Sequence, residues 1–179
     1  MKKSYLYLLL TACFLIFILI SRSYTAQWTK ETHFSTPLEA LMNVNGPSLK
    51  VLEIIDERIY EGDNYGYIFF YTQLNEPKDY YVVSEFKKET NGWKFVSMFG
   101  GGPVEKHEKS YYFYSGGYED GKQFGLANPE VSYVRRGNRE AEIVPLQNNL
   151  KIWFIYKPSL EDLEYNLEFY DDKGELIER

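Results

Sequence analysis

The chain is 179 residues long, with 20 Lys and Arg against 26 Asp and Glu, a formal net charge of −6, and one cysteine. An acidic surface of this kind is repelled by nucleic acid and other polyanions, which excludes nucleic acid as a partner. With Cys13 as the single thiol, no disulfide closes within the chain, and everything after it lacks the ligands for Cys-bound zinc or an iron–sulfur cluster and the nucleophile of a thiol enzyme.

Residues 5–20 form an almost unbroken apolar run behind Lys2 and Lys3. A basic flank stays on the cytoplasmic side while the apolar segment enters the bilayer, which places the rest of the chain outside the cytoplasm. Such a run spans about 24 Å as a helix at about 1.5 Å per residue, a little short of a hydrocarbon core of roughly 30 Å. Lys3 and Arg22 can snorkel and Ser4 and Ser21 add length, so residues 1–22 read as an uncleaved signal anchor touching the membrane through residues 4–21. Two other fates are open. Ser21-Arg22-Ser23 puts small residues at the positions a signal peptidase reads, giving a secreted chain, although the intervening Arg fits poorly. Leu10-Thr11-Ala12-Cys13 matches a bacterial lipobox and would lipidate Cys13, yet processing there leaves apolar residues 14–20 where a polar tether belongs. Lys2, Lys3 and Arg22 precede residue 23 and every acid follows it, so the exported portion holds 17 bases against 26 acids, a formal −9.

Residues 23–34 are largely polar, with isolated Tyr24, Trp28 and Phe34, and read as a tether. Residues 35–179 follow as a single extracytoplasmic domain, long enough for a real core. Thr36-Pro37-Leu38-Glu39 opens a helix: Thr36 caps it, Pro37 suits the first position, and Glu39 reaches back to close a capping box. Leu38, Leu41 and Met42 make its apolar stripe, and Asn45-Gly46-Pro47 ends it. Residues 49–60, 65–74, 80–89 and 93–99 are then rich in β-branched and aromatic residues. Glu61-Gly62-Asp63-Asn64, Asn75-Glu76-Pro77-Lys78 and Asn91-Gly92 separate them, which predicts a four-strand antiparallel meander. Asn91 and Gly92 both tolerate the positive φ of a two-residue type I′ turn. Tyr65, Tyr67, Phe69 and Tyr71 share one face of the second strand and Ile68 and Phe70 the other, so this strand is covered on both sides, by the helix on one of them. Gly100-Gly101-Gly102-Pro103 breaks the pattern, and residues 104–109 are a charged connector. Later strand candidates are residues 110–115, 123–127, 131–136, 140–146, 150–157, 165–170 and 175–178. The predicted fold is α+β and mostly β, antiparallel meanders with one short N-terminal helix packed on the sheet, in one unit with two sublayers, residues 35–100 and 104–179.

Thr36-Pro37-Leu38-Glu39-Ala40-Leu41, the hairpin Asn91-Gly92-Trp93-Lys94, Ala127-Asn128-Pro129-Glu130-Val131, Trp153-Phe154 and the ending Tyr170-Asp171-Asp172-Lys173-Gly174-Glu175-Leu176-Ile177 together resemble a group of small membrane-anchored extracytoplasmic proteins of Gram-positive bacteria. The likeness is scattered over most of the exported domain. It implies class and location in the bacterial cell envelope. Each matching piece is a turn or a cap, so no functional residue is carried over.

Chemistry is sparse. His33 and His107 are the two imidazoles, and His33 lies on the tether, so a two-His metal site is not expected. Glu105-Lys106-His107-Glu108 is a charged connector, Gly-x-Ser-x-Gly is absent, and the glycine run at Gly100 lacks the Gly-Lys-Ser/Thr of a phosphate loop. Asp171-Asp172-Lys173-Gly174-Glu175 carries Lys173 where calcium would need a ligand and reads as a hairpin turn. No cofactor is expected. Glu161, Asp162, Glu164 and Glu168, near Asp171, Asp172 and Glu175, are the carboxylates from which a glycosidase-type pair would come, though acidic residues in strand-connecting loops are ordinary surface.

Aromatic content is the anomaly: 17 Tyr and 12 Phe exceed what a small core requires. Tyr80, Tyr81, Tyr111, Tyr112 and Tyr114 form the densest groups on predicted strands, and a flat ring with a polar tip suits a protein or sugar partner. Strands buried on both faces are the competing explanation. The favoured reading is a membrane-tethered, non-catalytic binding or accessory domain of the cell envelope, with another envelope protein or a glycan as partner. It competes with an envelope hydrolase using an Asp/Glu pair, and with an accessory subunit acting through its transmembrane helix.

Overall fold

The computed structural model describes residues 33–44, 50–106, 111–115 and 122–178, with the backbone alone for residues 99, 111–115 and 178. The apolar run, Cys13 and His107 lie outside these residues, and among the described residues no helix is long and apolar enough to cross a membrane.

Helix α1 (Pro37–Met42) begins as its residues dictate: Thr36 Oγ1 accepts the Glu39 amide at 3.0 Å, and Pro37 occupies the first turn. Glu39 does not close the box onto Thr36. Its carboxylate accepts the Ser35 amide at 2.9 Å and the Ser35 hydroxyl at 2.5 Å instead. Pro37, Ala40 and Leu41 are the buried set, while Leu38 and Met42 are exposed, so the predicted stripe is rotated around the helix.

Strands β1 (Glu53–Tyr60), β2 (Tyr65–Gln73), β3 (Pro77–Glu89) and β4 (Gly92–Pro103) form the antiparallel meander in that order. Both faces of β2 are buried: Tyr67, Phe69 and Tyr71 enter one core, and Ile68 and Phe70 enter another with Ala40 and Leu41 of α1. The β3–β4 hairpin is displaced by one residue from its predicted tip. Glu89 pairs with Gly92, Thr90 and Asn91 form the loop, and within Thr90–Gly92 only Gly92 has positive φ, +124°. Phe34 pairs with Trp93 at the open edge of β4, and a Cβ on Gly92 would stand 2.5 Å from the Phe34 carbonyl oxygen. Gly92→Val is therefore expected to cost at least about 1–2 kcal/mol from backbone strain alone. An unchanged midpoint in chemical denaturation would refute this backbone assignment.

Gly100-Gly101-Gly102 does not break the sheet, contrary to the sequence expectation; β4 runs through it to Pro103. Side chains there would collide with β3, because a Cβ on Gly101 would lie 2.2 Å from the Tyr81 carbonyl oxygen. Register shifts between Val83 and Ser84 and between Glu85 and Phe86 bend this edge strand.

Beyond the meander come β5 (Tyr111–Ser115), β6 (Lys122–Ala127), β7 (Tyr133–Arg136), β8 (Arg139–Glu140), β9 (Glu142–Pro145), β10 (Lys151–Tyr156), helix α2 (Leu160–Glu164), β11 (Leu167–Tyr170) and β12 (Leu176–Glu178). They make two further antiparallel sheets, ordered β5-β6-β10-β9 and β12-β11-β7-β8. The predicted strand over residues 140–146 is divided at Ala141, its start pairing in the third sheet and its remainder in the second sheet. Tyr67, Phe69, Tyr81 and Val83 of the meander share one core with Phe124, Leu126, Ile152 and Phe154 of the second sheet. On the other face of the second sheet, Trp153 and Ile155 pack with Val134 and Phe169 of the third. The layers thus run α1, meander, second sheet, third sheet, an α+β fold that is mostly β.

Candidate functional site

The core between the meander and the second sheet changes character at one end. Tyr81, Val83 and Glu85 alternate along β3, and Lys122, Phe124 and Leu126 along β6, so each apolar stripe closes on a charge. Lys122 Nζ and Glu85 Oε1 meet at 2.5 Å, with side chains only 8% and 6% exposed. Tyr67, opposite Glu85 in the β2–β3 register, donates its hydroxyl to the same carboxylate at 3.3 Å. Lys122 also sits over the rings of Tyr65 and Tyr67, at 5.9 and 5.7 Å from their centroids.

Beside this pair, Tyr156 at the end of β10 stacks on Tyr60 at the end of β1, with centroids 3.9 Å apart and planes inclined by 18°. Tyr60 donates to Glu142 Oε1 at 2.5 Å, which ties the meander to β9. Tyr156 donates to Asp63 Oδ2 at 2.9 Å, and Lys157 holds the other oxygen of Asp63 at 2.6 Å. Burial pushes the phenols of Tyr60, Tyr67 and Tyr156 well above their ordinary range, and Glu142, Glu85 and Asp63 respectively push further in the same direction. Lys157 and Tyr156 hold the Asp63 carboxyl below its usual value. The tyrosines therefore stay protonated at neutral pH while Asp63 stays ionised.

Two cavities of about 350 Å³ each open here. Tyr65, Tyr67, Glu85, Val96 and Lys122 line one, Tyr60, Asp63 and Glu142 are among those lining the other, and Tyr156 and Lys157 border both. A larger depression of about 520 Å³ lies elsewhere, against the β7–β8 turn and α2. Two of its lining groups bind each other: Arg135 donates to Glu168 at 2.8 Å and to the Tyr170 hydroxyl at 2.7 Å, and that hydroxyl donates to Glu168 at 2.6 Å. The tyrosine cleft is the better candidate, because it joins half-exposed aromatic rings to a buried ion pair.

Of the tyrosines singled out in the sequence, Tyr81 is wholly buried in the core, because β3 is an interior strand and this face meets the second sheet. It is thereby removed from any contact surface. Tyr80 is half-buried. Tyr111, Tyr112 and Tyr114 lie on β5 opposite Ala127, Leu126 and Phe124, and their side chains are outside the described residues. Glu161 and Glu164 are exposed, and Glu168 is clamped by Arg135. Among the described residues, no group of three or more His, Cys, Asp and Glu is placed to hold a metal ion. Sequence reasoning missed Glu85, Lys122, Tyr65, Tyr67, Asp63, Tyr156 and Lys157. A charge closing an alternating apolar stripe was the available signal in β3 and β6.

Asp162 is spent on local structure. Its carboxylate accepts the Ser159 hydroxyl at 2.7 Å, the Ser159 amide at 2.9 Å and the Asn138 amide at 3.1 Å. These bonds, the Ser159 hydroxyl first, hold its carboxyl below the ordinary range. With the folded-state pKa depressed, its stabilisation is complete above the unfolded value of about 3.9 and is lost as pH falls through the lowered one. Asp162→Ala is expected to cost about 1 kcal/mol at neutral pH. It should also flatten the acid limb of the stability profile below about pH 4. A limb of unchanged slope would remove this role.

No family model matches this chain, no curated protein matches it, and no solved structure matches it.

Proposed function

We propose that this chain is a membrane-tethered extracytoplasmic domain that binds another component of the cell envelope without turning it over, with the cleft at Tyr65 and Tyr156 as its binding site. The cleft itself carries the reading: rings that keep some of their surface open, stiffened by a stack and by carboxylate bonds, are preorganised for contact. The tether follows from the basic flank and the apolar run of residues 5–20. Of the carboxylates considered for acid–base work, Asp162 is committed to a helix cap and Glu168 to Arg135.

The test has two arms. Protease added to intact Gram-positive protoplasts expressing the chain should digest the domain, and Cys13→Ser should leave the anchor in the membrane. Full-length chain in detergent should co-sediment with isolated cell envelopes, and Tyr156→Ala should abolish this while the domain still melts cooperatively. A protected domain would overturn the orientation. Sedimentation that is absent, or indifferent to Tyr156, would overturn the binding site.

A further inference from the structure

We infer that the cleft seats an oxyanion, a carboxylate or phosphate group of its ligand, between Tyr65 and Lys157, an inference that rests on the binding reading above and narrows it to a chemical class. The polar atoms still open to a partner decide the class. The Tyr65 hydroxyl has no hydrogen-bond partner among the described residues. Lys157 is 48% exposed in its side chain and meets one carboxylate, that of Asp63, at 2.6 Å, whereas an ammonium carries three donors. Both residues line the same cavity of about 350 Å³. The one carboxylate in that lining, Glu85, is 4% exposed and already holds Lys122 and the Tyr67 hydroxyl. Tyr156 adds no donor, having given its proton to Asp63. The open capacity is therefore for donation, and a ligand group rich in acceptors completes it. Lys157 need not leave Asp63, because three donors let one ammonium bridge two oxyanions.

The surrounding charge points the same way. Tyr65 of β2 stands opposite Lys87 of β3, and Lys87 opposite Lys94 of β4, so the three share the strand face of Glu85 and set two further cations beside Tyr65. Glu89, the next residue on that face, is bonded to His33 at 3.0 Å. Lys87, Lys94, Lys122 and Lys157 thus stand against Asp63, Glu85 and Glu89, a local excess of base in an exported portion that is formally −9. The neighbouring cavity has the opposite balance. Asp63, Glu140 and Glu142 line it against Arg139 and Lys157, and Arg58, 3.5 Å from Glu142, brings Asp56 with it at 2.7 Å. The Tyr65 side is therefore the seat of the anion.

The full-length chain in a nonionic detergent would be titrated by calorimetry at low ionic strength, with glycerol 3-phosphate and propionate as oxyanions, glycerol as the uncharged counterpart and tetramethylammonium as a cation. At least one oxyanion should saturate, weaken as salt is raised, and bind more tightly than glycerol or tetramethylammonium. Saturation by glycerol 3-phosphate alone would name phosphate, and by propionate alone carboxylate. Lys157→Gln should weaken the binding roughly tenfold or more and Lys157→Arg should hold it within about threefold, as loss and retention of a charge-assisted hydrogen bond do. Tyr65→Phe, which removes only the unpartnered hydroxyl, should weaken it about threefold or more at an unchanged melting temperature. Lys106→Gln removes an equal charge from an exposed position away from the cleft and should leave the binding unchanged. Tighter binding of glycerol or tetramethylammonium, or oxyanion binding indifferent to Lys157→Gln or to Tyr65→Phe, would overturn the inference. Failure of every probe, with envelope sedimentation still dependent on Tyr156, would overturn the oxyanion while leaving the binding reading intact. Loss of sedimentation as well would remove both.

Discussion

Lys122→Ala should destabilise the domain by about 3–5 kcal/mol, because it leaves a carboxylate stranded in the core. Glu85 is only 4% exposed, and the 2.5 Å contact with Lys122 is what offsets its removal from water. A loss of that size is a large share of the roughly 5–15 kcal/mol by which domains are usually stable, so the variant should be partly unfolded at modest denaturant. The paired replacement Lys122→Met with Glu85→Leu removes both charges and should recover much of the loss, since an apolar pair of similar volume needs no compensation there. Urea denaturation followed by tryptophan fluorescence measures all of these variants. A double variant that loses as much as the Lys122→Met and Glu85→Leu single variants added together would show that the two charges are not energetically coupled.

Trp153→Ala is expected to cost about 3–5 kcal/mol by a different route, the cavity left by a large ring. Trp153 is wholly buried and meets Phe169 edge to face, with centroids 6.1 Å apart. Its neighbours along β10, Ile152 and Phe154, point into the core shared with the meander. Loss of the ring should therefore lower the whole thermal transition, not a local portion of it. A loss under about 1 kcal/mol, or a second transition confined to the third sheet, would contradict this packing.

Local alternation carried much of the fold. Tyr67, Phe69 and Tyr71 against Ile68 and Phe70 foretold a strand buried on both faces, and Thr36 and Pro37 foretold the start of α1. What escaped depended on partners distant in the chain. Three successive glycines read as a break until Tyr81 is seen to leave no room for a side chain at Gly101. Ser159 and Asp162 carry a capping box, yet α2 is a single turn in an acidic stretch and shows no apolar stripe. The cleft was least legible. Glu85 and Lys122 belong to different sheets and lie 37 residues apart, and nothing near either predicts the other. Tyr81 could have been placed inside, since it shares its strand face with Val83 and pairs with Tyr71.

The two-sided burial of β10 has an evolutionary corollary. Ile152, Trp153, Phe154 and Ile155 are each no more than 1% exposed, so no position among them can drift toward a polar residue and let water absorb the change. Divergence in descendants of this chain should collect instead in the connections, such as the 3₁₀ turns Glu61–Asp63 and Gln147–Asn149, where no residue is buried. Asp63 sits in the first of these and borders the cleft, so the wall of the proposed binding site can change through a surface turn while the strand that joins the two cores stays as it is.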